Sequence, residues 1–228
     1  MPIFYDDVMV SLNGILTVQS FAPPKNGRTV KFSLPGGYER KCVYTCIDGN
    51  YSGPYTKAAP VETDIHGWEL LKAGSHVANV IVVDMSERVL NPINFNFDVT
   101  PVLSSSGERV VVHMRSSLRT SVRVKNSDML IMDYMNNGIV SAERRAESVL
   151  GDCLKKELNR ITPEYIDIHH ILNSPGLLGQ LSEDIRRAVC QEAEGYLEYP
   201  WFTVLSSALD LMPVNLDELV KKDNHRWE

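Results

Sequence analysis

Long apolar runs are missing from this chain of 228 residues. Its best candidate, VANVIVV at 77 to 83, falls far short of the roughly 20 apolar residues that a membrane-spanning helix needs. The N-terminal MPIFYDDVMV carries an acidic pair where a secretory signal would carry positive charge, so a soluble, cytoplasmic chain is expected. Cysteine is scarce as well. Cys42, Cys46, Cys153 and Cys190 are too few and too scattered for a disulfide framework, and reduced thiols are expected. Positive charge is in deficit, with 23 Lys and Arg against 29 Asp and Glu, a net charge of -6 and a pI near 5.6. Non-specific affinity for nucleic acid comes mainly from Lys and Arg neutralising phosphates, so nucleic acid is a disfavoured partner. Catalytic signatures are absent too: there is no G-x-S-x-G elbow, no Walker loop, no G-x-G-x-x-G after a strand and no H-E-x-x-H. A non-enzymatic protein without a cofactor is expected.

What is present begins with turn chemistry. NG at 13 and 26, PGG at 35, DGN at 48, SGP at 52 and SSSG at 104 separate segments rich in Val, Thr, Tyr and Phe. This spacing predicts strands over 7–12, 15–21, 28–34, 41–47, 77–85, 93–103 and 108–125. The last contains RVVVHMRSSLRTSVRVK, in which every second residue from Val110 to Val124 is apolar or small. Its other face carries Arg115, Arg119 and Arg123, so one face should be buried and the other basic. A strand of that length predicts a bend or bulge near Ser116 and Ser117.

Beyond Lys125 the period changes. Ala142, Ala146, Val149, Leu150, Cys153, Leu154, Leu158 and Ile161 form one helical stripe, and Gly151 within it implies close packing against a sheet or another helix. A second helix should start with Ser174 as N-cap and Pro175 in its first position. Its stripe is Leu177, Leu178, Leu181, Ile185, Ala188, Val189 and Ala193, with Gly195 as C-cap. Between the helices, EYIDIHHIL at 164–172 fits either a short helix or a strand, and WFTVLSSALDLMPV at 201–214 reads as a strand returning to the sheet. The terminal NLDELVKKDNHRWE reads as the start of a charged helix. The fold class expected is α+β: an N-terminal antiparallel or mixed β region over 1–70, then an α/β domain over 71–228 with two amphipathic helices packed on a sheet.

Candidate chemistry is thin. LPGGYERK at 34–41 fits a simple turn better than an anion nest. Cys42 and Cys46 share a strand face about 13 Å apart, too far for one tetrahedral zinc, and read as buried thiols. His169 and His170, flanked by Glu164 and Asp167, are the most suggestive pair. A metal or acid–base site there would need His66, His76 or His113 to converge on them, and the spacing does not demand it. A metal-dependent enzyme is therefore the weakest alternative. DYMNNG at 133–138 reads as a helix end, and Tyr199, Trp201 and Phe202 around Pro200 as core.

The order of elements resembles the SPFH or band 7 domain of stomatins, prohibitins and flotillins, over about residues 70–222. LKAGSHVANVIVVDMSERV is similar to the family's approach strand, here ending at Asp84. FDVTPVLSSSGERVVVHMRSSLRTSVRVKNSDML is similar to its strand, turn at Ser106 and Gly107, long alternating strand and polar step into a helix. FTVLSSALDLMP matches its last strand. The chain departs from the family in carrying β-like sequence where a membrane helix usually precedes the domain, and in lacking a long coiled coil within its sequence. The resemblance implies lateral self-assembly into rings or cages, with a membrane surface or a membrane-associated protein as a second partner. Arg115, Arg119 and Arg123 would then meet an acidic strip of the next subunit, drawn from Glu143, Glu147, Glu183, Asp184, Glu192, Glu194 and Glu198. A viral or phage component that builds a ring, tube or shell is the alternative, and a merely solvated face is the plainest reading of the charges.

Overall fold

The chain's strongest turn signal, DG at 48–49 between two β-prone runs, and the run that starts at Lys41 set up the first sheet in the computed structural model, which describes residues 5–21, 29–36, 39–55, 78–103, 109–161 and 175–218. Strand β1 (Tyr5–Met9) pairs in parallel with β3 (Thr29–Ser33). Strands β2 (Leu16–Ser20), β4 (Lys41–Ile47), β5 (Asn50–Tyr55) and β6 (Ala78–Asp84) form a separate antiparallel sheet in the order β2-β6-β4-β5. Asp48 and Gly49 take φ of 50° and 81° between Ile47 and Asn50, which pair across the β4–β5 hairpin. Positive φ at both central residues is what a two-residue hairpin turn twisted like its strands requires.

β5 was hidden in the sequence because DGN and SGP both read as punctuation. Pro54 is tolerated there because β5 is the sheet's edge strand in this strand order, where an absent N–H breaks no ladder. β4 is buried on both faces. Val43 packs with Val10, Phe32, Leu34, Val80 and Val82, and the Phe21 and Phe32 rings meet edge to face at 5.0 Å. Tyr44, on the opposite face, donates its hydroxyl to helix α1 (Ser127–Asn137), 2.8 Å from Ser127 Oγ and 2.7 Å from Asp128 Oδ1. Cys42 and Cys46 lie buried on that same face, as their spacing implied. Asn126 caps α1, its side chain accepting from the Met129 N–H at 3.1 Å, and Gly138 ends the helix by returning its N–H to the Tyr134 carbonyl.

The chain divides into two units by its contacts, one of Met1–Glu87 with Arg123–Glu143, the other of Arg88–Val122 with Arg144–Glu228. The expected boundary near residue 70 lies outside the described residues. In the second unit, β9 (Arg109–Val124) is the central strand. It pairs on one side with the short β7 (Arg88–Val89) and with β8 (Ile93–Leu103), and on the other with β10 (Phe202–Pro213). The ladder with β8 is regular through Ser116 and Ser117, so no bulge lies there. The irregularity falls between Val99 and Val102, where Pro101 supplies no N–H to the ladder and one extra residue of β8 is accommodated.

Helices α2 (Ala142–Leu158) and α3 (Pro175–Tyr196) supply the second layer. The α2 stripe is buried as expected, through Ala146, Val149, Leu150, Cys153 and Leu154, whereas on α3 only Ile185, Val189 and Ala193 are buried, with Leu178 and Leu181 half-buried and Leu177, expected on the same stripe, exposed. Gly195 is not a C-cap but lies inside α3, which continues to Tyr196. Ser174, the expected N-cap, lies outside the described residues, as does 164–172.

Gly151 sits over β8. A Cβ built on it would lie 3.7 Å from Ile93 Cγ2 and 3.7 Å from the Phe95 ring, ordinary van der Waals contact. Since the space admits a methyl group, the helix-propensity penalty of glycine dominates. Gly151→Ala is expected to raise stability by about 1 kcal/mol, read as a higher denaturant midpoint at unchanged slope.

Candidate functional site

Cross-strand register defines two faces of the second unit's sheet. Ile93, Phe95 and Phe97 of β8 stand opposite Leu118, Ser116 and Met114 of β9, and this is the face against which Gly151 brings α2. α3 holds β10 on the same face, where Arg186 Nη1 donates to Ser207 Oγ at 2.7 Å and Leu209 and Leu211 are buried. The other face is open. Asn94, Asn96 and Asp98 of β8 lie there opposite Ser117, Arg115 and His113 of β9, beside Asp210 and Met212 of β10.

The arginines are exposed, as the alternation of β9 implied. Arg119 donates to Asp210 Oδ2 on β10 at 2.8 Å, with both side chains more than half exposed, so this pair is worth little to stability. Arg115 and Arg123 have no partner among the described residues. His113 Nδ1 lies 2.7 Å from Asp98 Oδ1, a cross-strand pair on the same face. Ser121 breaks the pattern by being buried, its hydroxyl 2.7 Å from Ser206 Oγ.

Most of the candidate acidic strip is engaged inside its own chain. Glu147 accepts from the N–H and the side-chain amide of Asn91 at 3.0 and 2.9 Å. Glu192 pairs with Lys156, and Glu194 accepts from Thr203 Oγ1 at 2.5 Å and the Val204 N–H at 3.3 Å. Glu183 pairs with Arg186 and, at 3.5 Å, with Arg187. The Arg186 hydrogen bond holds its carboxyl below the usual range. Glu143 closes a loop of the first unit: its Oε1 accepts the Ile15 N–H at 2.5 Å, and its Oε2 accepts from Ser141 Oγ at 3.1 Å. Asp184 and Glu198 are exposed and have no partner among the described residues.

Two hollows accompany these features. In the first unit a cleft of about 510 Å³ is lined by Asn13, Thr17, Gln19, Tyr134 and Glu143. Its polar groups are turned on one another: the Asn13 N–H donates to Thr17 Oγ1 at 2.7 Å, and Gln19 accepts from the Ser11 N–H at 3.0 Å. The other is a groove of about 480 Å³ along β10 and α3. Among the described residues no three His, Cys, Asp or Glu side chains group as a metal site, and none of the helices is long and apolar enough to cross a membrane. His66, His76, His169 and His170 lie outside the described residues.

The buried acids bear on stability rather than chemistry. Burial pushes the Cys153 thiol up to about 11 and the Tyr51 phenol up to about 12, and burial with the Asp128 carboxylate raises Tyr44 further. These groups stay neutral in the folded chain at pH values where the unfolded chain ionises, from about 8.5 for Cys and about 10 for Tyr. Their contribution is therefore whole below about pH 8.5 and is lost as pH rises through the folded values. The denaturant midpoint is expected to be flat from about pH 7 to 8.5 and to fall steadily above about pH 9, with proton release on unfolding.

Compared with models of protein families and with curated proteins, the chain matches none.

Proposed function

We propose that this chain is a non-enzymatic assembly protein that associates laterally with copies of itself through its second unit, in the manner an SPFH-like order of elements implies. The observation that carries the reading is a pair of unmatched charges on opposite layers of that unit. Arg115 stands on the open sheet face and Asp184 on the exposed side of α3, and neither has a partner among the described residues. A sheet face that meets the helix layer of the next copy makes a head-to-tail contact, which closes into a ring or propagates as a filament. The engagement of Glu143, Glu147, Glu183, Glu192 and Glu194 within the chain narrows the acidic partner to Asp184 and Glu198.

Arg115→Glu tests this. At about 50 mM salt, where exposed charges still attract across roughly 14 Å, light scattering is expected to show the variant's particle mass falling severalfold below the wild type's. Asp184→Lys should do the same. Unchanged mass in both variants would contradict the charge-mediated contact.

A further inference from the structure

The groove along β10 and α3 holds polar atoms that the fold leaves unused. Ser182 is the clearest of them: it is only 8% exposed, it lines the groove, and its hydroxyl has no partner among the described residues. A hydroxyl buried without a hydrogen bond is costly, so one that opens into a hollow marks a place for a ligand atom. Ser207, across the groove on β10, is a second donor. Its oxygen already accepts from Arg186 Nη1 at 2.7 Å and from Cys190 Sγ at 3.3 Å, which leaves its own proton to give. Arg186 is a third. Its Nε and Nη2 hold Glu183 and its Nη1 holds Ser207, so each terminal nitrogen keeps one N–H unused.

Charge agrees with this surplus of donors. Glu183 is matched by Arg186 and, at 3.5 Å, by Arg187, and Asp210 at the groove's border is matched by Arg119, so neither carboxylate leaves this end anionic. The opposite end is apolar. From Arg186 and Ser207 the lining runs back along α3 to Leu178 and Gly179, and forward along β10 to Leu211 and Met212. Gly179 leaves room there, since a Cβ built on it would meet nothing within 4 Å.

We infer that this groove binds a monocarboxylate with an unbranched apolar tail, its carboxylate held by Ser182, Ser207 and Arg186 and its tail lying toward Leu178 and Met212. Two hydroxyls and a guanidinium with protons to give select an oxyanion, to which such bonds are charge-assisted. The apolar half selects against a bare inorganic anion, which would fill only the polar end. Size fits as well. A volume of about 480 Å³ lies in the range of small-ligand pockets. From Ser207 to Met212 the strand rises roughly 16 Å, enough for an extended chain of about ten carbons. The site uses neither Arg115 nor Asp184, so it stands or falls apart from the lateral contact proposed above.

Decanoate, kept below the concentration at which it forms micelles, is the probe, titrated calorimetrically into the full chain. Saturable binding at one site per chain is expected. Ser182→Ala and Arg186→Gln are each expected to weaken it by about tenfold or more, the loss of a hydrogen bond to a charged group. Gly179→Leu guards against a folding artefact. It fills the apolar end of the groove at a helix position where leucine is preferred to glycine, so affinity is expected to fall by about tenfold while the unfolding midpoint rises. Decanol, which has the tail without the charge, is expected to bind at least about tenfold more weakly than decanoate. No saturable binding of decanoate would overturn the site. So would decanol binding as tightly as decanoate, or an affinity that all three variants leave unchanged.

Discussion

Trp201→Ala is expected to destabilise the chain by about 3–5 kcal/mol, the largest effect of any single substitution considered for it. Trp201 immediately precedes β10, is fully buried, and meets the Phe202 ring edge to face at 5.0 Å between centroids. Removing the indole deletes its transfer free energy and leaves a cavity that a close-packed core refills only in part. For a chain of this length about 1 kcal/mol corresponds to about 2–4 °C, so the midpoint should drop by about 6–20 °C. Circular dichroism on thermal unfolding reads this directly. Trp201→Phe, which keeps an aromatic ring there, should lose less than half as much.

Gly14→Ala is expected to cost about 3 kcal/mol, from two sources that can be separated. Gly14 has φ of +82°, where a residue with a Cβ pays about 1–2 kcal/mol. Its Cβ would also fall on the Glu143 carboxylate and displace it from the Ile15 N–H, a charge-assisted bond worth about 1.5–3 kcal/mol. Gly49, with φ of +81° and nothing within 4 Å of a Cβ, provides the control. Gly49→Ala should show the strain alone, about 1 kcal/mol in denaturant unfolding. Equal losses at the two glycines would mean that the Glu143 contact contributes nothing.

The alternation of β9 made its two faces legible because one face is buried against helices, and burial imposes a period of two that residue types must follow. The stripes of α2 and α3 were legible for the same reason at a period near 3.6. Local pairs were readable too: Glu183 with Arg186 and Arg187 in SEDIRR sits at the spacing at which helical neighbours meet. What sequence could not supply was partnership at long range. Glu143 reaches Ile15 across 128 positions and Glu147 reaches Asn91 across 56, and nothing local marks either carboxylate as engaged. An acidic strip drawn from composition therefore counted several groups that folding had already used. The break in the long ladder was sought at Ser116 and Ser117 because strand length suggested a bend, whereas its cause stood on the partner strand, at Pro101. Edge status, which decides what β5 tolerates, follows from strand order and has no signature within the strand itself.

Self-association is the central claim, and the mass of the unmodified chain in solution at about 50 mM and about 500 mM salt tests it most directly. A particle much larger than the 25.6 kDa chain at low salt, falling toward the mass of one chain at high salt, is the predicted result. A mass of one chain at both salts would contradict it.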